Sequence, residues 1–290
     1  MVCVFFAKKV YNRRHHKRGA TMAASSPSMQ RLLRLKMLRL LENPFEEFTD
    51  GRYFVPTTQV ARIYQEVRQR WFERAQGLIL IDGEPGSGKS SLARFLAGGH
   101  TRSPLVLAVA PHTPNRLLKL INEGLGLPRV KEESRRRALL ENYLAERYIG
   151  VVIDQDPRKI TPPLGQLIAD LSQKITVVVT GYEVFNYPWD DWGAALSGRY
   201  LLTPWDYDTL VFVVEEITRR AGRVMGSLFT PEALERLYVL AEGRPRETLR
   251  LCRQALESLL SGEGTTVEPW MLEPYVTSTE GASFFTEGNL

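Results

Sequence analysis

Apolar positions follow two rhythms along this chain. Short unbroken runs occur at Leu78-Ile79-Leu80-Ile81, Leu105 to Ala110, Ile149 to Ile153 and Ile175 to Thr180. Runs of this length, rich in β-branched residues and without polar alternation, predict strands buried on both faces. Between them the apolar residues recur every three or four positions. Asn115 to Leu125 carries Leu117, Leu118, Ile121 and Leu125, and Ser90–Ala97, Ser134–Arg147 and Leu164–Leu171 complete a set of helices. Strands alternating with helices predict an α/β fold: a parallel sheet covered by helices on both faces. From Tyr207 onward only the helical rhythm remains, over Leu210–Ala221, Pro231–Ala241 and Pro245–Leu260. Thr230-Pro231 supplies an N-cap and a first-turn proline to the second of these, and Glu242-Gly243 ends it.

Upstream, Thr58 to Gln76 reads as a helix. Arg31 to Leu41 alternates Leu/Met with Arg/Lys and reads as a short basic amphipathic helix, broken by Asn43-Pro44-Phe45. We expect its apolar side to pack on the next domain in the chain, in preference to a membrane or partner helix. The chain thus divides into a basic arm with a short helix (1–42), an α/β core (43–204), a small helical unit (205–277) and a polar tail (278–290).

Charge is unevenly distributed. The net charge of +5 hides a segment, residues 1–39, with ten Lys/Arg and no Asp/Glu, while the rest holds 28 basic and 33 acidic residues. A basic arm can bind a phosphate backbone by releasing counterions. It also fits a solvated tail, or sequence translated ahead of a start at Met22. No apolar run approaches the roughly 18–20 residues of a membrane span. Val2 to Ala7 is short and precedes its basic cluster, the reverse of a secretory signal. The expectation is a cytoplasmic protein without membrane contact. Cys3 and Cys252 form neither a metal-ligand spacing nor a disulfide framework.

The chemistry concentrates at Gly83-Glu84-Pro85-Gly86-Ser87-Gly88-Lys89-Ser90, followed by Ser91. This is G-x-x-x-x-G-K-[ST] placed after an apolar strand and opening a helix, the context of a phosphate loop. Glycines let consecutive N–H groups turn inward toward phosphate oxygens. The helix adds its positive N-terminal end. Lys89 would reach the β- and γ-phosphates of ATP, and the Ser90 hydroxyl would take a Mg²⁺ position. A second metal-side group should end another strand. Gly150-Val151-Val152-Ile153-Asp154 delivers one carboxylate, Asp154.

On these residues the chain resembles the AAA+ ATPases, in the branch of ExeA-type proteins, TnsC-like transposition regulators and origin-recognition ATPases. Asn43-Pro44-Phe45 with Gly51-Arg52-Tyr53-Phe54 is similar to the leading segment of the ExeA type. Gly83 to Ser90 and Asp154 stand as its Walker A and B motifs, and Pro111 to Leu127 matches its stretch after the second strand. The resemblance, over roughly residues 43–275, implies further roles. Thr180, at the end of the fourth core strand, would be the first sensor, positioning water or detecting the γ-phosphate. Arg199, after the next helix, would be the arginine finger that reaches a neighbouring subunit's ATP. Gly243-Arg244-Pro245-Arg246 would be the second-sensor motif of a helical lid, with Arg246 facing the nucleotide and Arg244 as its rival. An ordinary strand-end threonine and surface arginines are the plain readings of the same residues.

One departure matters. The family follows its Walker B aspartate with a glutamate that polarises water, and here that position is Gln155, with Asp156 one residue too far on. Glutamine orients water but accepts a proton poorly, so hydrolysis to ADP and phosphate should be slow or partner-stimulated.

The resemblance therefore implies an ATP-binding regulator that assembles head to tail, as a ring or helical filament, on duplex DNA through backbone contacts, and recruits a transposase or targeting protein. Arg158-Lys159 are candidate contacts alongside the arm. Two alternatives stay open: a switch or adaptor in defence or signalling that does not bind DNA, and an ExeA-like secretion ATPase, against which the chain's early end would count. An origin-recognition initiator and a small-molecule kinase fit less well. No base-reading module stands out, so sequence preference is not expected.

Overall fold

The computed structural model describes residues 27–46, 52–98, 105–155, 160–262 and 264–272. The basic cluster Lys8 to Arg18, the pair Arg158-Lys159, Asp156, Gly51, Cys3 and the tail from Ser278 lie outside the described residues.

Five parallel strands form one sheet: β1 (Gly77–Gly83), β2 (Leu105–Val109), β3 (Gly150–Asp154), β4 (Thr176–Thr180) and β5 (Leu196–Leu202), in the order β2-β3-β4-β1-β5. Side chains alternate between the two faces. Leu78, Leu80, Val151, Ile153, Val177 and Val179 point into a core with helices α4 (Pro114–Gly124), α5 (Glu133–Glu146) and α6 (Pro162–Ser172). Ile79, Ile81, Val152 and Val178 point the other way, against α2 (Thr58–Phe72) and α3 (Lys89–Gly98). Each such side chain contributes roughly 1.5–3 kcal/mol on burial. This double burial is why the strands read as unbroken apolar runs.

The fifth strand escaped the sequence pattern. Leu196–Leu202 reads Leu-Ser-Gly-Arg-Tyr-Leu-Leu and is half-buried or exposed up to Leu201, because it is an edge strand. Its outer backbone is partly satisfied by side chains of α2: Arg70 donates to Ser197 O (3.1 Å), and Gln59 donates to Leu201 O (2.6 Å). Covering an edge this way blocks further strand pairing.

The helical unit consists of α7 (Tyr207–Arg220), α8 (Pro231–Ala241) and α9 (Pro245–Ser261). Asp206 caps α7 through Thr209 N (2.8 Å), and Thr230 caps α8 through Ala233 N (3.2 Å). Helix α1 (Pro27–Met37) differs from expectation in place and extent. It ends at Met37, since Arg39 takes a φ of 58°. It packs on the C-terminal helical unit, not on the α/β core next to it in sequence. Arg31 grips Glu257 with two bonds (2.9 and 2.7 Å), and Arg34 donates to Leu259 O and Gly264 O (2.9 and 2.8 Å). Leu35, Leu38, Leu40, Phe45 and Val55 join the core of α7, α8 and α9. The segment around 43–46 therefore belongs to the helical unit by packing. Among the described residues no helix is long and apolar enough to cross a membrane.

The helical unit meets the α/β core where Arg220, at the end of α7, donates to Phe54 O (2.9 Å). Within the unit, Trp205 N–H donates to Gly243 O (2.8 Å) and fixes the α8–α9 corner. Gly243 has a φ of 68°, and a Cβ there would lie 2.1 Å from Trp205 O. Only glycine fits. Gly243→Ala should cost upward of about 1–3 kcal/mol through backbone strain and displacement. Urea unfolding monitored by circular dichroism should show a lowered midpoint for this variant, whereas Gly226→Ala, with open space at its Cβ, should lose only the part due to its positive φ.

Candidate phosphate site

All five strands run the same way, so β1, β3 and β4 end on one edge of the sheet, and the sequence-marked residues meet there. In the ladder, Thr180 lies opposite Asp154 on one side and Ile81 on the other. This register brings the ends of β3 and β4 beside the loop after β1.

That loop, Gly83 to Gly88, curls through two left-handed glycines, Gly86 (φ 89°) and Gly88 (φ 93°), and passes into α3. Ser87 N donates to Glu84 O (3.1 Å). The Lys89 ammonium lies across the loop, donating to Gly83 O (2.6 Å) and Glu84 O (2.8 Å), with Ser87 Oγ at 3.4 Å. Burial lowers the Lys89 pKa, and the carboxylates of Asp82, Asp154 and Glu84 oppose that shift. Glu84, Pro85, Ser90 and Ser91 are exposed, while Gly86, Ser87, Gly88 and Lys89 are half-buried.

Asp154 is the hub. Its Oδ1 accepts from Ser90 Oγ (3.1 Å) and from Thr180 Oγ1 (3.0 Å). Thr180 is fully buried, so its hydroxyl is fixed on this carboxylate. Gln155 is 4 % exposed, and its backbone N–H donates to Thr180 O (2.9 Å), which carries the ladder one residue past the strand.

The helical unit closes over the loop. Arg246 N–H donates to Gly86 O (3.1 Å), and Arg246 Cβ would lie 3.1 Å from a Cβ on Gly86. Arg246, exposed in the first turn of α9, thus stands on the phosphate loop. Its rival Arg244 pairs instead with Glu242 on the surface. Two helix N-termini, of α3 and α9, converge on one small space, an arrangement that favours an anion.

Arg199 sits elsewhere. No α-helix precedes it; the connection from β4 holds a single 3-10 turn, Val184–Asn186, and Arg199 lies within edge strand β5 opposite Leu80. It is exposed, its guanidinium 5.9 Å from the centre of the Phe185 ring. The structure therefore gathers Gly83 to Ser91, Asp154, Gln155, Thr180 and Arg246, and leaves Arg199 on the outer edge.

Sequence reasoning missed Asp82. This nearly buried carboxylate, directly before the loop, accepts from Gly83 N (2.6 Å), Glu183 N (2.8 Å) and Phe185 N (3.3 Å). The available signal was an ionisable residue ending an otherwise apolar strand.

Comparisons with known proteins agree with this architecture. Residues 68–173 match the family model described as an AAA domain, a span from α2 through α6. The chain is 27 % identical over 200 residues to the General secretion pathway protein A of Aeromonas hydrophila. That match covers 62 % of this chain and 36 % of the relative, so this chain spans little more than a third of that protein's length. Among solved structures, the ORC2 protein of Aeropyrum pernix in its ADPNP–ADP complexes aligns at a TM-score of 0.62 and 16 % identity, covering 84 % of this chain and 73 % of that one. The ORC1 protein of the same organism, in complex with DNA, aligns at 0.59 and 18 %, covering 85 % and 69 %. The fold is that of the AAA+ ATPases, with the family match confined to the α/β core.

Two substitutions separate nucleotide binding from hydrolysis. Lys89→Ala removes the one ammonium in the loop and should weaken ATP binding by roughly 100-fold, the scale of a lost charge-assisted contact of about 1.5–3 kcal/mol; isothermal titration measures this. Thr180→Val keeps the shape and deletes the donor to Asp154. It should leave ATP affinity within about twofold while lowering phosphate release about tenfold or more.

Proposed function

We propose that this protein is an ATP-binding regulator that assembles head to tail in an ATP-dependent way on duplex DNA, as a ring or helical filament, and recruits a transposase or targeting protein. The observation that carries the reading is the contact between Arg246 and Gly86: the lid helix stands on the phosphate loop, so a nucleotide held in the loop would meet the lid.

The residues fit ATP with Mg²⁺. Gly86 and Gly88 take positive φ, as a loop that turns its N–H groups inward requires. Lys89 occupies backbone carbonyls that it can exchange for phosphate oxygens. Ser90 Oγ and Asp154 Oδ1, 3.1 Å apart, form a hydroxyl–carboxylate pair of the kind that suits Mg²⁺, which takes few protein ligands beside phosphate and water. When bound, ATP–Mg²⁺ supplies the transferable γ-phosphoryl group. Of the protein's own groups, Lys89 and Arg246 would bind charge, Asp154 would hold the metal shell with Ser90, and Thr180 would fix the orientation of Asp154. Gln155 in place of a carboxylate makes proton transfer from water slow, which favours a persistent ATP state, the state a loaded regulator needs. Arg199, exposed on an edge strand, is free to approach a neighbouring protomer, and a head-to-tail interface generates either a closed ring or a filament.

The DNA assignment draws on the basic arm, ten Lys/Arg without an acid in residues 1–39, and on the likeness to an ORC1 structure that contains DNA. A cytoplasmic location goes with it. The sequence match to a general secretion protein favours a second reading, an ATPase serving secretion, in which the same phosphate site drives a protein assembly without DNA.

Negative-stain microscopy with long duplex DNA and ATP, a non-hydrolysable analogue or ADP distinguishes them. Rings or filaments on DNA with the triphosphates alone support the regulator; bare DNA in all three, with ATP still bound, rejects it. Arg199→Ala should retain ATP affinity and lose ATP-dependent assembly; normal assembly removes Arg199 as the residue acting in trans. Gln155→Glu should raise turnover roughly 100-fold if base catalysis limits the rate, and an unchanged rate in a phosphate-release assay would assign the control to another group.

A further inference from the structure

Beyond its charge near Lys89, the Asp82 carboxylate is given no role above, yet it is 7 % exposed and sits at the junction of three structural pieces. A buried carboxylate is costly unless its oxygens are hydrogen-bonded. Here both oxygens are used, and all three of their donors are backbone N–H groups. One belongs to Gly83, the first residue of the phosphate loop. The other two belong to Glu183 and Phe185, in the turn after β4.

That turn is held in a specific shape. Glu183 takes a left-handed φ of 55°, which costs a non-glycine residue about 1 kcal/mol or more. Two N–H groups of the turn point at one carboxylate, the arrangement of an anion nest filled from inside the protein. Beyond the nest, Val184 is fully buried and its carbonyl accepts from Trp189 Nε1 (2.8 Å), while Gly181 N donates to Ile81 O (3.0 Å). The turn is therefore a stiff piece whose position is tied to Asp82. It also carries Phe185, whose ring lies under the Arg199 guanidinium. On the other side, Gly83 O is the acceptor that Lys89 occupies at 2.6 Å.

We propose that Asp82 is a positioning residue that couples the phosphate loop to the turn 183–185 and, through Phe185, to the Arg199 edge of the protomer. When Lys89 moves from Gly83 O to a phosphate, Gly83 loses the contact at its carbonyl and keeps the one that its N–H makes to Asp82. The displacement then passes to Glu183 and Phe185. Only the last link, from Phe185 to Arg199, rests on the reading of Arg199 as the group that acts between subunits.

Asp82→Asn is the informative variant. It keeps size and one acceptor oxygen, but sets an NH₂ donor against one of the backbone N–H donors. Hydrogen exchange of the full chain, with and without ATP–Mg²⁺, reads the coupling directly. In the wild type, peptides covering 83–92 and 181–187 should both change their exchange rates, with the same ATP concentration dependence. In Asp82→Asn, compared at saturating ATP because the variant removes a charge that acts on Lys89, the response of 83–92 should persist while the response of 181–187 falls about tenfold. An unchanged 181–187 response in the variant overturns the proposal. So does a loss of both responses at saturating ATP, which would make Asp82 merely structural. If the variant does not fold, the wild type alone decides: no nucleotide-linked change at 181–187 overturns the coupling, and a change that tracks 83–92 upholds it. Phe185→Leu tests the last link, since it keeps the Asp82 bonds and removes the ring under Arg199. It should weaken ATP-dependent self-association about tenfold with the exchange responses intact, and unaltered association overturns that link. A wild type that never assembles refutes the proposed function, yet leaves the exchange coupling readable on its own.

Discussion

One oxygen atom, Asp154 Oδ1, fixes the geometry of the phosphate edge. It accepts the hydroxyl of Ser90, from the helix after the phosphate loop, and the hydroxyl of Thr180, from the neighbouring strand. Three segments distant in sequence are thereby joined through hydrogen bonds of 3.1 and 3.0 Å. The condition for this is strand register. Thr180 stands opposite both Asp154 and Ile81, two residues before Gly83. A shift of one residue would turn each of these side chains to the other face of the sheet. The register is in turn enforced by the doubly buried apolar runs, which leave no alternative pairing without exposing one core. The chemistry at the edge is thus specified by packing some distance from it.

The lid depends on a different constraint. Its position on the core is set by hydrogen bonds, Arg246 N–H to Gly86 O and Arg220 to Phe54 O, while its apolar cluster is separate from those of the sheet. The lid has its own core, to which α1, Phe45 and Val55 contribute. A unit with a self-sufficient core and a hydrogen-bonded hinge can move as a body without unfolding. Arg246 would then move with the whole helix. Gly243, with no room for a Cβ against Trp205 O, fixes the corner between α8 and α9 inside that unit.

The legible parts of the sequence were those where one signal suffices. The phosphate loop, the strand leading to Asp154 and the cap at Thr230-Pro231 each carry their own local logic. Elements wholly inside the core were legible because double burial erases polar alternation. What failed was context. Strand β5 carries Ser197, Gly198 and Arg199 because it lies at an edge, and its pairing with β1 is set by a partner distant in the chain. Helix α1 was read as Arg31 to Leu41 and runs from Pro27 to Met37, with Leu32 and Leu33 exposed and Leu35 buried, and the surface it meets is at the other end of the chain, reached through Arg31 and Glu257. Asp82 was invisible for the same reason: its meaning lies in N–H groups of residues 183 and 185. The helix expected before Arg199 is a single 3-10 turn, because the connection is occupied by the nest around Asp82 and by the anchoring of Trp189.

The placement of α1 changes the electrostatic argument for a nucleic-acid partner. Of the ten basic residues in 1–39, Arg31 and Arg34 are committed to the lid, to a carboxylate and two carbonyls. Such partly exposed pairs contribute no more than about 1 kcal/mol to stability, but they remove two cations from any polyanion surface. Six of the remaining cations cluster between Lys8 and Arg18. If the arm binds a phosphate backbone, the salt dependence of binding should therefore arise mainly from these six. Each neutralised phosphate contributes a slope of about 0.9 in log affinity against log salt. Helix α1, pinned to the lid, would carry the arm's attachment to the moving body. Binding free energy in the arm and nucleotide state in the loop would then act on the same rigid unit, so that affinity for a polyanion and for ATP need not be independent quantities.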